Sequence, residues 1–129
     1  MPRGVEFIPV EPYTRYADRL RRASRVLAPL RQLSPDIAIY PDPELHAPML
    51  RHRSHSSCAV VFDRHENFDQ PETLFRGTGV TGRLVAQVYP RVEAHACRRL
   101  DGVIVVIPSM LNVLPPGTNG IVAHNYPTR

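Results

Sequence analysis

Ile37-Ala38-Ile39-Tyr40 runs into Pro41-Asp42-Pro43-Glu44, and Ala59-Val60-Val61-Phe62 runs into Asp63-Arg64-His65-Glu66. Each is a short, unbroken apolar run closed by polar punctuation, too short for a helix and too continuously apolar for a half-wetted strand. Both predict buried strands of a parallel sheet. Their carboxyl ends then share one rim, the place where open α/β sheets hold their ligands.

The rest of the chain fits around those two runs. Val103-Ile104-Val105-Val106-Ile107 predicts a third buried strand, Ile121-Val122-Ala123 a short last one, and residues 5–10 an edge strand, since Pro9 cannot donate to a ladder. Between the strands lie helical patterns. From Tyr16, Leu20, Ala23, Leu27, Leu30 and Leu33 step by three or four, with Pro29 expected to kink the helix. A helix over about 43–52 turns Leu45, Met49 and Leu50 inward, and Leu84, Val88, Val92, Ala96 and Leu100 mark the buried face of another, which Pro90 is expected to split or to restart at a first-turn position. Residues 67–82 predict a loop with a helical turn, Ser109 caps a short helix to about Val113, and Pro115-Pro116-Gly117 makes a turn. Strands alternating with helices imply right-handed crossovers. The expected fold is a single α/β domain over residues 1–129, a Rossmann-like, mostly parallel sheet of about five strands with helices on both faces.

The 129 residues suit one modest core, and 43% hydrophobic with 22% charged is a globular composition. No run reaches the roughly 20 apolar residues of a membrane helix, and the start lacks a secretory pattern, which makes cytoplasmic the expected location. Cys58 and Cys97 are expected as reduced, buried thiols. All 16 basic residues are arginine, against 12 acids, for a net charge of +4. This usage points first to a GC-rich genome and only then to a taste for phosphate or carboxylate, and charge alone selects no partner. The arginines of the first helix fit a solvated face, or contact with anionic lipid at the inner face of a membrane. No aromatic interleaving supports nucleic-acid binding.

At the rim, His65 reads either as a site group whose imidazole meets a substrate or diphosphate oxygen, tuned by Asp63, or as a ring that caps the strand end on a backbone carbonyl. Asp42 and Glu44 read as paired carboxylates for acid–base work or sugar hydroxyls, or Asp42 as the cap of the following helix. Asp42, Asp63, His65 and Glu66 form a conceivable metal set, although nothing in the spacing fixes ligand geometry. Gly77-Thr78-Gly79-Val80-Thr81-Gly82 matches a dinucleotide fingerprint literally, but no strand leads into it. His46, His52 and His55 close no zinc spacing and are expected at the surface.

In order along the chain these motifs resemble the acceptor-side, N-terminal domain of GT-B glycosyltransferases of the retaining family 4 type. The family pattern of a Pro-Asp-hydrophobic strand into His-Asp-Pro-Glu-Leu is similar to Pro35-Asp36-Ile37 leading to Tyr40-Pro41-Asp42-Pro43-Glu44-Leu45. Tyr-Asp-Val-His-Glu resembles Phe62-Asp63-Arg64-His65-Glu66. The later Glu, the Arg-Arg-hydrophobic-Asp strand entry and the closing Arg-Asn-Tyr-Pro resemble Glu93, Arg98-Arg99-Leu100-Asp101-Gly102-Val103-Ile104 and His124-Asn125-Tyr126-Pro127. Tyr40 stands where the family usually has histidine.

The resemblance implies transfer of a sugar from a nucleotide-sugar donor substrate to an acceptor, with no further cofactor and no catalytic metal. His65 and Glu66 would be the catalytic-side groups, and Asp42, Glu44, Asp63, Arg64 and Asn125 would contact substrate. It also implies that this chain begins near the family's third strand and needs a donor-binding domain supplied separately, or an oligomer that completes the sheet, so that the chain alone is expected to be inactive. Two other functions fit the same residues: a non-catalytic binding or assembly module derived from such an enzyme, and a small metal-dependent hydrolase using the rim carboxylates.

Overall fold

A computed structural model describes residue 8, residues 23–65 and residues 79–124. A 3-10 turn at Ser24–Val26 leads into α1 (Leu27–Leu33), then β1 (Ile37–Tyr40), a 3-10 turn at Pro43–Leu45, α2 (His46–Ser54), β2 (Ala59–Arg64), α3 (Gly79–Cys97), β3 (Gly102–Val105), α4 (Pro108–Leu111) and β4 (Gly120–Val122). The four strands pair in the order β1-β2-β3-β4, all parallel. The expected fifth strand at residues 5–10 lies outside the described residues except for Ile8, which is exposed and not in a strand.

Strand order determines which face is covered. When each parallel strand is laid beside the last by a right-handed crossover, every connecting helix falls on the same side of the sheet. Burial follows that rule: Ala38, Tyr40, Val60, Phe62, Arg64, Val103 and Val105 point into the core, while Ile37, Ile39 and Ile121 on the other face are 62%, 60% and 58% exposed. The expectation of helices on both faces is therefore corrected for the described residues, even though the strands carry the two-sided apolar composition that suggested it.

The core is centred on Phe62, fully buried between the Tyr40 ring, stacked at 5.2 Å, and the His46 ring, edge-on at 4.7 Å. Burying each such side chain stabilises the fold by about 1.5–3 kcal/mol. Cys58 and Cys97 are buried and free, as expected. Burial pushes the Cys97 thiol up to about 11.

Several local expectations change. α3 runs unbroken through Pro90, whose ring lies on an exposed face. Its inner face is not the expected one: Ala96 and Leu100 are buried, but Leu84, Val88 and Val92 are about half exposed, and Tyr89, Glu93 and Cys97 face inward instead. The physical reason is Arg64, which alternation along β2 points into the core and which needs the Glu93 carboxylate there. Leu33 is likewise exposed. Pro29 sits in the first turn of α1, just after the change from 3-10 to α geometry. Pro108 opens α4, with Ile107 rather than Ser109 at the N-cap position. The residue 77–82 glycine pattern lies outside the described residues up to Gly79, where α3 begins.

Candidate functional site at the carboxyl rim of the sheet

The register Tyr40↔Phe62 places the ends of β1 and β2 side by side. Asp42 and Glu44 follow β1 by two and four residues, Asp63 and Arg64 are the last two residues of β2, and His65 comes next. Five of the seven expected site residues thus share one rim of two adjacent strands. Glu66 and Asn125 lie outside the described residues. His124, two residues past β4, sits at the same rim, with Nδ1 3.2 Å from the Val106 carbonyl oxygen.

The five differ in what they can reach. Asp42 occupies the N-cap position of the Pro43–Leu45 turn, yet its side chain makes no capping bond; the turn is closed by the Leu45 N–H donating to the Asp42 carbonyl at 3.0 Å. Asp42 and Glu44 are half-buried. Asp63 lies on the outer face beside Ile104. Arg64 turns the other way: it is 4% exposed, and its Nε donates to Glu93 Oε1 at 3.0 Å, with the Tyr89 hydroxyl donating to the same oxygen at 3.3 Å. The expectation of Arg64 as a substrate contact is not what this geometry offers. It ties the end of β2 to α3 and fixes the strand that carries His65.

His65 is exposed, with Nδ1 3.3 Å from the carbonyl oxygen of Asp63. A carbonyl only accepts, so in this contact Nδ1 carries the hydrogen and the neutral ring presents Nε2 as an acceptor. A neutral His65 suits a sugar or alcohol hydroxyl; donating to a diphosphate oxygen would require the imidazolium.

Beneath the rim lies a feature missing from the sequence reading. His46 and His52, expected at the surface, are 2% and 5% exposed, and only His55 is exposed as expected. The Tyr40 hydroxyl and His46 Nδ1 are 2.7 Å apart, which joins the last residue of β1 to the first residue of α2 and holds the intervening loop with Asp42 and Glu44. Burial lowers the His46 pKa to about 4, so the ring is neutral at physiological pH, and burial raises the Tyr40 pKa above its ordinary value. His46, Met49 and His52 recur at the three-residue spacing of one helix face, and the inward reading of Met49 is the sequence signal that could have marked the two histidines as inward as well.

Among the described residues no three His, Cys, Asp or Glu side chains come together as a metal site, and no helix is long and apolar enough to cross a membrane. Comparison of the chain with models of known protein families, with curated proteins and with solved structures returns no match.

Proposed function

We propose that this chain is the acceptor-side part of a sugar-transfer system: an α/β unit that binds a hydroxyl-bearing acceptor at its carboxyl rim while a separate donor-binding domain holds a nucleotide-sugar. The observation that supports the reading is the gathering of Asp42, Glu44, Asp63 and His65 at the ends of two adjacent parallel strands, together with the motif order that resembles family 4 glycosyltransferases. In this reading carboxylates at Asp42 and Glu44 accept hydrogen bonds from sugar hydroxyls. His65 Nε2 accepts from the hydroxyl that attacks the anomeric carbon, or, when protonated, stabilises charge that develops on the departing diphosphate. Glu66 and Asn125 belong to the same proposal by resemblance.

The test is calorimetric titration of the chain with a panel of nucleotide-sugars and polyol or saccharide acceptors, repeated with His65→Ala and with Asp42→Asn/Glu44→Gln. Acceptor binding weakened about tenfold or more by the carboxylate pair, in line with lost charge-assisted hydrogen bonds of about 1.5–3 kcal/mol each, supports the reading. Unchanged binding in both variants overturns it. Acceptor binding that never leads to transfer when a donor-binding domain is supplied points to the binding or assembly module. The metal-hydrolase alternative has no three-ligand group in its favour among the described residues; hydrolysis abolished by a chelator would restore it.

A further inference from the structure

The opposite rim of the sheet has a chemistry of its own. α1, α2 and α3 each end at the amino edge of the strand that follows, so their last turns and linking segments converge there. Arg31 lies in the last turn of α1, Arg51 and Arg53 in the last turn of α2, and Arg98 and Arg99 in the turn between α3 and β3. Backbone bonds hold these segments together: Ala59 N–H donates to Asp36 O at 2.9 Å, and Asp101 N–H to Val60 O at 3.0 Å. β1 to β3 span only about 10 Å, which makes the cluster one patch.

Two acids sit among these five arginines. Asp101 is taken by Arg53, whose Nε and Nη2 donate to Oδ2 and Oδ1 at 2.8 Å each, which leaves Asp36. Arg31, Arg51, Arg98 and Arg99 are exposed, and among the described residues no hydrogen bond or ion pair engages their guanidinium groups. Helix dipoles account for cations in the last turns of α1 and α2. The dipole of α3 favours Arg98 and Arg99 in the same way, since Arg98 N–H still donates to Ala94 O at 3.3 Å at the end of that helix, but five arginines against two acids leave this one edge net positive. Beside the arginines stand two bare apolar side chains at the same edge, Leu33 at the end of α1, 53% exposed, and Ile37 at the start of β1, 62% exposed.

We propose that this amino-edge patch docks the protein on an anionic phospholipid surface, with Arg31, Arg51, Arg98 and Arg99 on the headgroups and Leu33 and Ile37 at the acyl boundary. Guanidinium charge beside exposed aliphatic side chains is the chemistry of an interfacial contact. A nucleic acid is the less favoured occupant, because base stacking needs exposed aromatic rings. The described aromatic side chains, Tyr40, Phe62 and Tyr89, are buried or half-buried. Docked by this edge, the protein would turn its carboxyl rim away from the lipid, which makes the inference independent of the proposed sugar transfer.

The experiment is co-flotation of the 129-residue chain with phosphatidylcholine vesicles with and without phosphatidylglycerol, at moderate and at high salt. Binding only to the anionic vesicles, reduced by salt, is expected. Arg31→Gln/Arg51→Gln and Arg98→Gln/Arg99→Gln, at exposed positions that leave the fold intact by circular dichroism, should each lower partitioning about twenty-five-fold, at about fivefold per arginine. Leu33→Ser should remove the part of binding that survives salt, and Arg91→Gln, on the middle of α3, should change nothing. Equal binding to neutral vesicles, no binding to anionic ones, or both double variants behaving as the parent overturns the proposal. Tighter retention of the chain on single-stranded or duplex nucleic acid than on anionic vesicles overturns it as well.

Discussion

Arg64, the last residue of β2, and Glu93, in the second half of α3, form an ion pair inside the fold, with Nε 3.0 Å from Oε1 and side chains 5% and 14% exposed. The pair chooses which face of α3 meets the sheet, and so decides where the apolar positions of that helix go. A pair this buried is held in place more by the cost of breaking it than by any net gain from making it.

Removing one partner should therefore be far worse than removing both. Glu93→Ala is expected to lower unfolding free energy by about 3–5 kcal/mol, and Arg64→Met/Glu93→Leu to recover most of that loss. Urea unfolding of the two single variants and the double variant checks it. Additive losses would mean that the two side chains do not act as a pair.

That relationship also shows where the sequence stops being legible. Strand identity, parallel pairing, the Pro-Pro-Gly turn and the shared rim of Asp42 and His65 followed from runs, punctuation and alternation. The face of α3 did not, because Leu84, Val88 and Val92 offer a better apolar stripe than Tyr89, Glu93 and Cys97. A buried salt bridge is invisible to hydrophobic periodicity. The covered face of the sheet was missed for a different reason: composition gives each strand's burial, but sequential strand order decides the side on which helices fall. At the site, the positions of Asp42, Glu44, Asp63 and His65 could be read, whereas the inward turn of Arg64 and the Tyr40–His46 bond depend on tertiary contacts.

His46 should leave a signature in the pH dependence of stability. Burial holds its pKa at about 4 in the folded chain, below the value of about 6.5 of an unfolded histidine. The unfolded chain then binds the proton first, so the stabilisation is complete above about pH 6.5 and is lost as pH falls toward 4, where it levels off. The loss is about 3 kcal/mol across that window. His46→Gln should remove this slope, so that the parent-minus-variant difference in unfolding free energy falls by about 3 kcal/mol from about pH 6.5 to about pH 4 in denaturant titrations at stepped pH. An unchanged slope would mean that the ring is hydrated or charged in the fold.

Asp101 joins three segments at the amino edge: its carboxylate accepts from Arg53 and from the Val60 N–H at 2.8 Å, and its carbonyl oxygen accepts from Asn119 Nδ2 at 2.8 Å. The bond from Arg53, then that from Val60, holds its pKa below the usual carboxylate value. Its stabilisation is therefore present above about pH 4 and lost as pH falls through the depressed folded value. Asp101→Asn should cost about 1–2 kcal/mol at neutral pH, discounted because the Arg53 pair is partly exposed. It should also remove the acid-side slope below pH 4, read by the same titrations.

Gly117 has φ +84° in the turn closed by Thr118 N–H donating to Pro115 O at 3.1 Å, the third residue of a turn that requires a left-handed backbone there. No atom lies near enough to obstruct an added methyl group. Gly117→Ala therefore isolates the backbone penalty, about 1 kcal/mol, in thermal or urea unfolding. A neutral substitution would show that the turn relaxes to another type.

Ile39 tests whether the outer face of the sheet is bare in solution. Its side chain is 60% exposed and lies in register with Val61 of β2, on the face opposite Phe62. Replacement by threonine keeps β-branching and strand preference while removing apolar surface. If water already covers that face, Ile39→Thr should change unfolding free energy by no more than about 0.5 kcal/mol. If another element or a second copy packs there, the same change buries a hydroxyl and removes apolar contact. The cost then rises to about 1–3 kcal/mol and, for a second copy, depends on protein concentration. Urea unfolding at two protein concentrations separates the three outcomes, and only the first agrees with the burial pattern of β1.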